Sequence, residues 1–160
     1  MILGMSTSTF TALHVVLSLI GIVSGFIVLF GMLGSNKFAG WTALFLATTT
    51  LTSLTGFFFH SASFGPPQVV GVISLVVLAV AIFAFYVGRL AEHWRWVYVV
   101  TAVVALYLNA FVGVVQAFQK LPFLTPLAPT QSEPPFLIAQ LALMAIFVVL
   151  GILSVRRYHP

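Results

Sequence analysis

The side chains able to do chemistry in this sequence are few, and most fall into two stripes and two pairs. His14, Ser18, Gly21 and Gly25 recur at steps of three and four, so a helix carries them on one face. Thr48, Thr52, Gly56 and His60 recur at steps of four and end in a second imidazole. Asn109 and Gln116 are seven apart, as are Glu133 and Gln140, so each pair shares a helix face as well.

Two facing imidazoles could hold the iron of a b-type haem from both sides, or contribute with Glu133 to a copper or zinc site. The expected metal ligands are therefore His14 and His60, and the expected cofactor-binding set is His14, His60, Asn109, Gln116, Glu133 and Gln140. The same amides and imidazoles could instead hydrogen-bond a quinone headgroup. Spacing does not choose between haem b, a metal and quinone.

Each of these residues also has a purely structural reading. His14 lies near a helix start, where it can reach interfacial water or a carbonyl, and His60 lies at a loop edge. Glu133 follows Ser132 where a helix begins, a place that favours a carboxylate and a hydroxyl cap. An amide such as Asn109 in mid-span can serve as interhelical glue worth about 0.6–2 kcal/mol. The run Thr48-Thr49-Thr50 with Thr52, Ser53 and Thr55 reads mostly as packing, with hydroxyls bonding back to helix carbonyls. Glu92 and His93 beside Arg89 and Arg95 read as a solvated connection.

Several chemistries are excluded. There is no cysteine, which removes disulfides, thiolate metal sites, iron–sulfur clusters and cysteine nucleophiles. No HExxH helix, P-loop, dinucleotide-binding glycine fingerprint or nucleophile elbow occurs, so a stand-alone enzyme is not expected.

The elements that must position these residues are set by composition. Of 160 residues 61% are hydrophobic and 5% charged, with a mean hydropathy of +1.19. Soluble domains are about one quarter charged, so the natural solvent of this chain is lipid. The apolar runs are too long for strands and do not alternate. The expected fold is a single all-α integral membrane bundle of five transmembrane helices, spanning about 10–33, 41–59, 69–88, 96–118 and 136–155.

Ser6-Thr7-Ser8-Thr9 is suited to capping the first helix, and with no basic residue ahead of it that first apolar run reads as a retained span. The segment 60–68, with Gly65-Pro66-Pro67, and the segment 119–135, with its five prolines, are expected to be loops. Lys37, Arg89, Arg95, Arg156 and Arg157 then share one side of the membrane and Lys120 stands alone on the other, which predicts an outside N-terminus and an inside C-terminus. Trp41, Trp94 and Trp96 fall at the inner interface. The net charge of +4 is thus orientation signal, not a nucleic-acid footprint. With this orientation, the polar residues collect in the outer half of the bundle.

Three stretches resemble a group of small bacterial membrane proteins of unassigned function. They are Gly40-Trp41-Thr42-Ala43-Leu44-Phe45-Leu46-Ala47-Thr48-Thr49, the run Trp94 to Ala102 leading into Leu106-Tyr107-Leu108-Asn109, and Leu127 to Phe136 with its Pro129, Glu133, Pro134 and Pro135. The resemblance covers most of the chain and implies a multi-pass protein of the bacterial inner (plasma) membrane. It brings no activity with it. The leading expectation is a bundle that binds a small ligand in its outer half. The rivals are an accessory subunit of a larger membrane complex, which its featureless third span would suit, and a small transporter or channel. Expected partners are the lipid bilayer, a homo-oligomer or a larger membrane complex.

Overall fold

The computed structural model describes residues 6–36, 38–56, 66–120, 122, 125–127 and 133–159, with the side chains at 7, 66–68, 116–120 and 125 left undescribed. Five α-helices follow one another: α1 (Thr7–Leu33), α2 (Ala39–Gly56), α3 (Pro66–Ile82), α4 (Trp94–Lys120) and α5 (Pro134–Arg157). A π-helical turn, Phe83–Val87, prolongs α3, and a short 3₁₀ turn covers Thr125–Leu127. There is no strand among the described residues. Four of the helices, α1, α3, α4 and α5, are long and apolar enough to cross a membrane. The exception is α2, whose threonines dilute its apolar content over 18 described residues.

Helix ends follow local chemistry. Ser6 caps α1 by accepting from the Thr9 backbone N–H at 3.2 Å. At two other starts the structure corrects the sequence reading. Pro66 and Pro67 were expected in a turn, yet they open α3, and Pro134 and Pro135 likewise open α5. Proline suits a first helical turn because its missing N–H would be unpaired there and its φ is already helical. Glu133 is itself the N-cap of α5, its carbonyl accepting from Phe136 and Leu137; Ser132 lies outside the described residues.

The connections α1–α2 and α3–α4 are tight. Ser35, Phe38, Arg89, Leu90 and Glu92 all have φ between 44° and 59°, a left-handed conformation that side chains disfavour. Tight packing accompanies them: Phe38 folds back over Gly31, and Trp94 covers Gly88 so closely that a Cβ there would come 2.6 Å from its Cγ.

At the centre is α4, which packs against each of the other four helices. Tyr98, Val99, Ala102 and Leu106 of α4 meet Leu29 and Met32 of α1, Phe45 of α2, Leu78 and Ala81 of α3, and Phe147 of α5 in one buried core. Small residues allow this closeness, as the α1 stripe predicts. A Cβ on Gly25 would meet Leu106 at 2.5 Å and Phe45 at 3.0 Å. Elsewhere the helices turn large apolar side chains outward, among them Val23 and Phe30 of α1, Val76 of α3 and Ile138 of α5. Such outward faces are natural where the surroundings are lipid.

Candidate functional site

In the half of the bundle where α1 and α5 begin, α1 presents its polar stripe to α2 and α4. The Nδ1 of half-buried His14 lies 2.7 Å from Thr55 Oγ1. Thr55 Oγ1 also lies 2.7 Å from the Leu51 carbonyl, so the hydroxyl joins the ring to its own helix backbone. The ring also packs on Gly56, where a Cβ would lie 3.7 Å from His14 Cε1.

One turn deeper, Ser18 Oγ donates to Asn109 Oδ1 at 3.0 Å, and Asn109 Nδ2 reaches the Ser18 carbonyl at 3.4 Å. Asn109 is buried, as its place near mid-span requires. Gly21 then brings the helices together: a Cβ there would lie 2.9 Å from Thr49 Oγ1 and 3.1 Å from Asn109 Nδ2. Thr48 and Thr52 bond back to the carbonyls of Leu44 and Thr48. The hydroxyls of Thr49 and Thr50 are buried without a hydrogen-bond partner among the described residues.

On another side of α4, the Gln140 amide donates to the Phe111 carbonyl at 3.4 Å. Its Oε1 is buried with no partner among the described residues. Phe136, one turn earlier on α5, packs with Val114, Val115 and Ala139.

The structure therefore brings His14 and Asn109 onto one α1–α2–α4 junction and places Gln140 between α4 and α5. Glu133 stands at the start of α5. His60 lies outside the described residues, as does the side chain of Gln116. Among the described residues, no three His, Asp or Glu side chains converge to hold a metal.

No family model matches the chain, and comparison with curated proteins and with solved structures finds no match.

The opposite end of the bundle holds a network that sequence reading passed over. Arg95 was expected in a solvated turn, but its Nη1 donates to the carbonyls of Val155 at 2.8 Å and Tyr158 at 2.9 Å, closing the last turn of α5 with a cation. Tyr158 is fully buried, its ring centroid 6.0 Å from that of Tyr98, which lies 5.1 Å from Phe85. Burial pushes the Tyr158 phenol up to about 12. The His159 backbone N–H donates to Ser35 Oγ at 2.8 Å, tying the tail to the α1–α2 connection. No motif announces this network; the one hint is a tyrosine four residues beyond Ser154, a helical step that returns it to the bundle.

A groove of about 450 Å³ also runs between α4 and α5, lined by Val100, Val104 and Tyr107 on one side and by Met144, Gly151 and Arg156 on the other.

Proposed function

We propose that the protein is a multi-pass binding protein of a bacterial inner membrane, with α2 as its fifth span, that holds a small hydrogen-bonding ligand of the quinone class. The ligand lies beside Gln140, in the half where α1 and α5 begin. The observation that carries this reading is the buried Gln140 Oε1, which has no partner among the described residues, one helical turn from the apolar cluster around Phe136. An unpaired buried amide oxygen costs about 1–3 kcal/mol, so a ligand donor such as a quinol hydroxyl would be bound with that gain. Asn109 and His14 shape the neighbouring junction, with Gln116 on α4 and Glu133 at the N-cap of α5. The basic residues at the other end support an orientation with that end inside and the N-terminus outside.

This reading ranks quinone above a protein-held metal because, among the described residues, no three His, Asp or Glu side chains converge; haem b stays the alternative, since the Thr55 contact on His14 Nδ1 is compatible with iron on Nε2. The test is an absorption spectrum, metal analysis and solvent extraction of protein purified in mild detergent. Co-purifying quinone that falls sharply in Gln140→Met supports the proposal. A Soret band lost in His14→Ala would replace quinone with haem, and a sample with neither chromophore would overturn ligand binding.

A second reading is an accessory subunit of a larger membrane complex. It is favoured by α5, the least buried of the four long apolar helices, whose Leu141, Val149 and Ile152 face outward. Native mass spectrometry decides it, since a lone chain or homo-oligomer argues against a heterologous partner.

A further inference from the structure

We infer that the α4–α5 groove seats one anionic phospholipid, its acyl chain along the apolar lining and its phosphate on Arg156. This site is separate from the one beside Gln140, and does not depend on it.

The size and length of the groove fit an acyl chain. Its volume of about 450 Å³ lies in the range of small-molecule sites, about 300–1,000 Å³. Along α5 the lining runs from Met144 to Arg156, which at about 1.5 Å per residue is about 18 Å. Half of a hydrocarbon core is about 15 Å deep. The groove therefore matches one leaflet's chain, not a molecule that crosses the membrane.

Charge decides which end takes the head. Arg156 is the charged residue of the lining, and it closes the groove at the end of the bundle where α5 stops. Arg95, at the same end of the bundle, is committed to the carbonyls of Val155 and Tyr158, and Arg157 lies outside the lining. Trp96 stands exposed one helical turn before Val100, so it shares that face of α4 and marks the depth of the headgroups, where indoles collect. Basic pockets between membrane helices select anionic headgroups, because a zwitterionic lipid brings its own cation to the phosphate. Gly151 gives the groove its depth: a Cβ there would meet Val103 Cγ1 at 3.4 Å, so a side chain fits the helix while its remainder fills the groove.

The experiment is native mass spectrometry of the full chain released from nanodiscs of phosphatidylcholine with a minor fraction of phosphatidylglycerol. The wild type should retain phosphatidylglycerol preferentially, and Arg156→Gln should reduce that preference about fivefold. Arg157→Gln removes the same charge from a residue outside the lining and should change it little. Gly151→Leu should lower retention of both lipids. Equal losses in Arg156→Gln and Arg157→Gln would reduce the effect to general surface charge and overturn the site, as would an Arg156→Gln variant indistinguishable from wild type. Circular dichroism of each variant establishes that the helices are intact.

Discussion

Ser18 and Asn109, 91 residues apart in the chain, are joined by a hydrogen bond of 3.0 Å between the hydroxyl and the amide oxygen. The second contact, from the Asn109 amide nitrogen to the Ser18 carbonyl, makes the pair reciprocal. In lipid, where water is not available to either group, such a pair joins α1 to α4.

Asn109→Leu should therefore destabilise the bundle, by about 1–3 kcal/mol, because Ser18 is left facing an apolar group. A double-mutant cycle with Ser18→Ala should return a coupling of about 0.6–2 kcal/mol in reversible unfolding from detergent. Additive effects would mean that the pair contributes nothing as a pair.

Two glycines should respond with opposite signs. Gly25→Val places a side chain against Leu106 and Phe45 and should cost about 1–3 kcal/mol by overpacking. A Cβ on Gly40 meets nothing within 4 Å, so Gly40→Ala should stabilise by about 0.4–1 kcal/mol. Melting of the two variants in the same detergent checks both, and equal shifts would refute the packing argument.

The Tyr158 phenol is raised by burial from 10.0 to about 12, so the fold favours its neutral form. Its contribution is fully present below pH 10 and is lost as pH rises toward about 12, by at most about 3 kcal/mol. Tyr158→Phe should flatten this part of the alkaline stability profile. It should also cost little at neutral pH, because the hydroxyl has no partner among the described residues. An unchanged alkaline profile in Tyr158→Phe would assign the loss to another group.

Arg95→Met should fray the end of α5. It removes a charge-assisted bond to the Val155 and Tyr158 carbonyls, worth about 1.5–3 kcal/mol. Hydrogen exchange over residues 155–159 should accelerate, with the link from His159 to Ser35 released in the same step. Arg95→Lys should restore only part of the protection, since an ammonium lacks the planar fork of the guanidinium. Exchange that stays at the wild-type rate in Arg95→Met would show that α5 ends without this cap.

Much of the fold was legible because lipid imposes simple rules. Long apolar runs must become helices, since the backbone has no other way to pair its polar groups. Ser6 announced the start of α1, and the His14–Ser18–Gly21–Gly25 spacing announced a face on which another helix closes. The prolines misled in two places, because a proline that ends one helix is equally suited to begin the next. Over its described residues α2 is not among the helices long and apolar enough to cross a membrane, and the Phe57-Phe58-Phe59 end of the expected second span lies outside those residues.

The sequence by itself determined that this chain is helical and largely apolar on its outside, and which side chains share a face, because these follow from composition and from a period of 3.6. It did not determine which faces meet. That His14 finds Thr55, that Ser18 finds Asn109, and that Arg95 closes α5 were decided by the order of helices around α4. The α4–α5 groove was decided there too. Valines at helical spacing look alike whether they face a neighbour, a groove or lipid, and only the tertiary arrangement left space in front of them with Arg156 at its end.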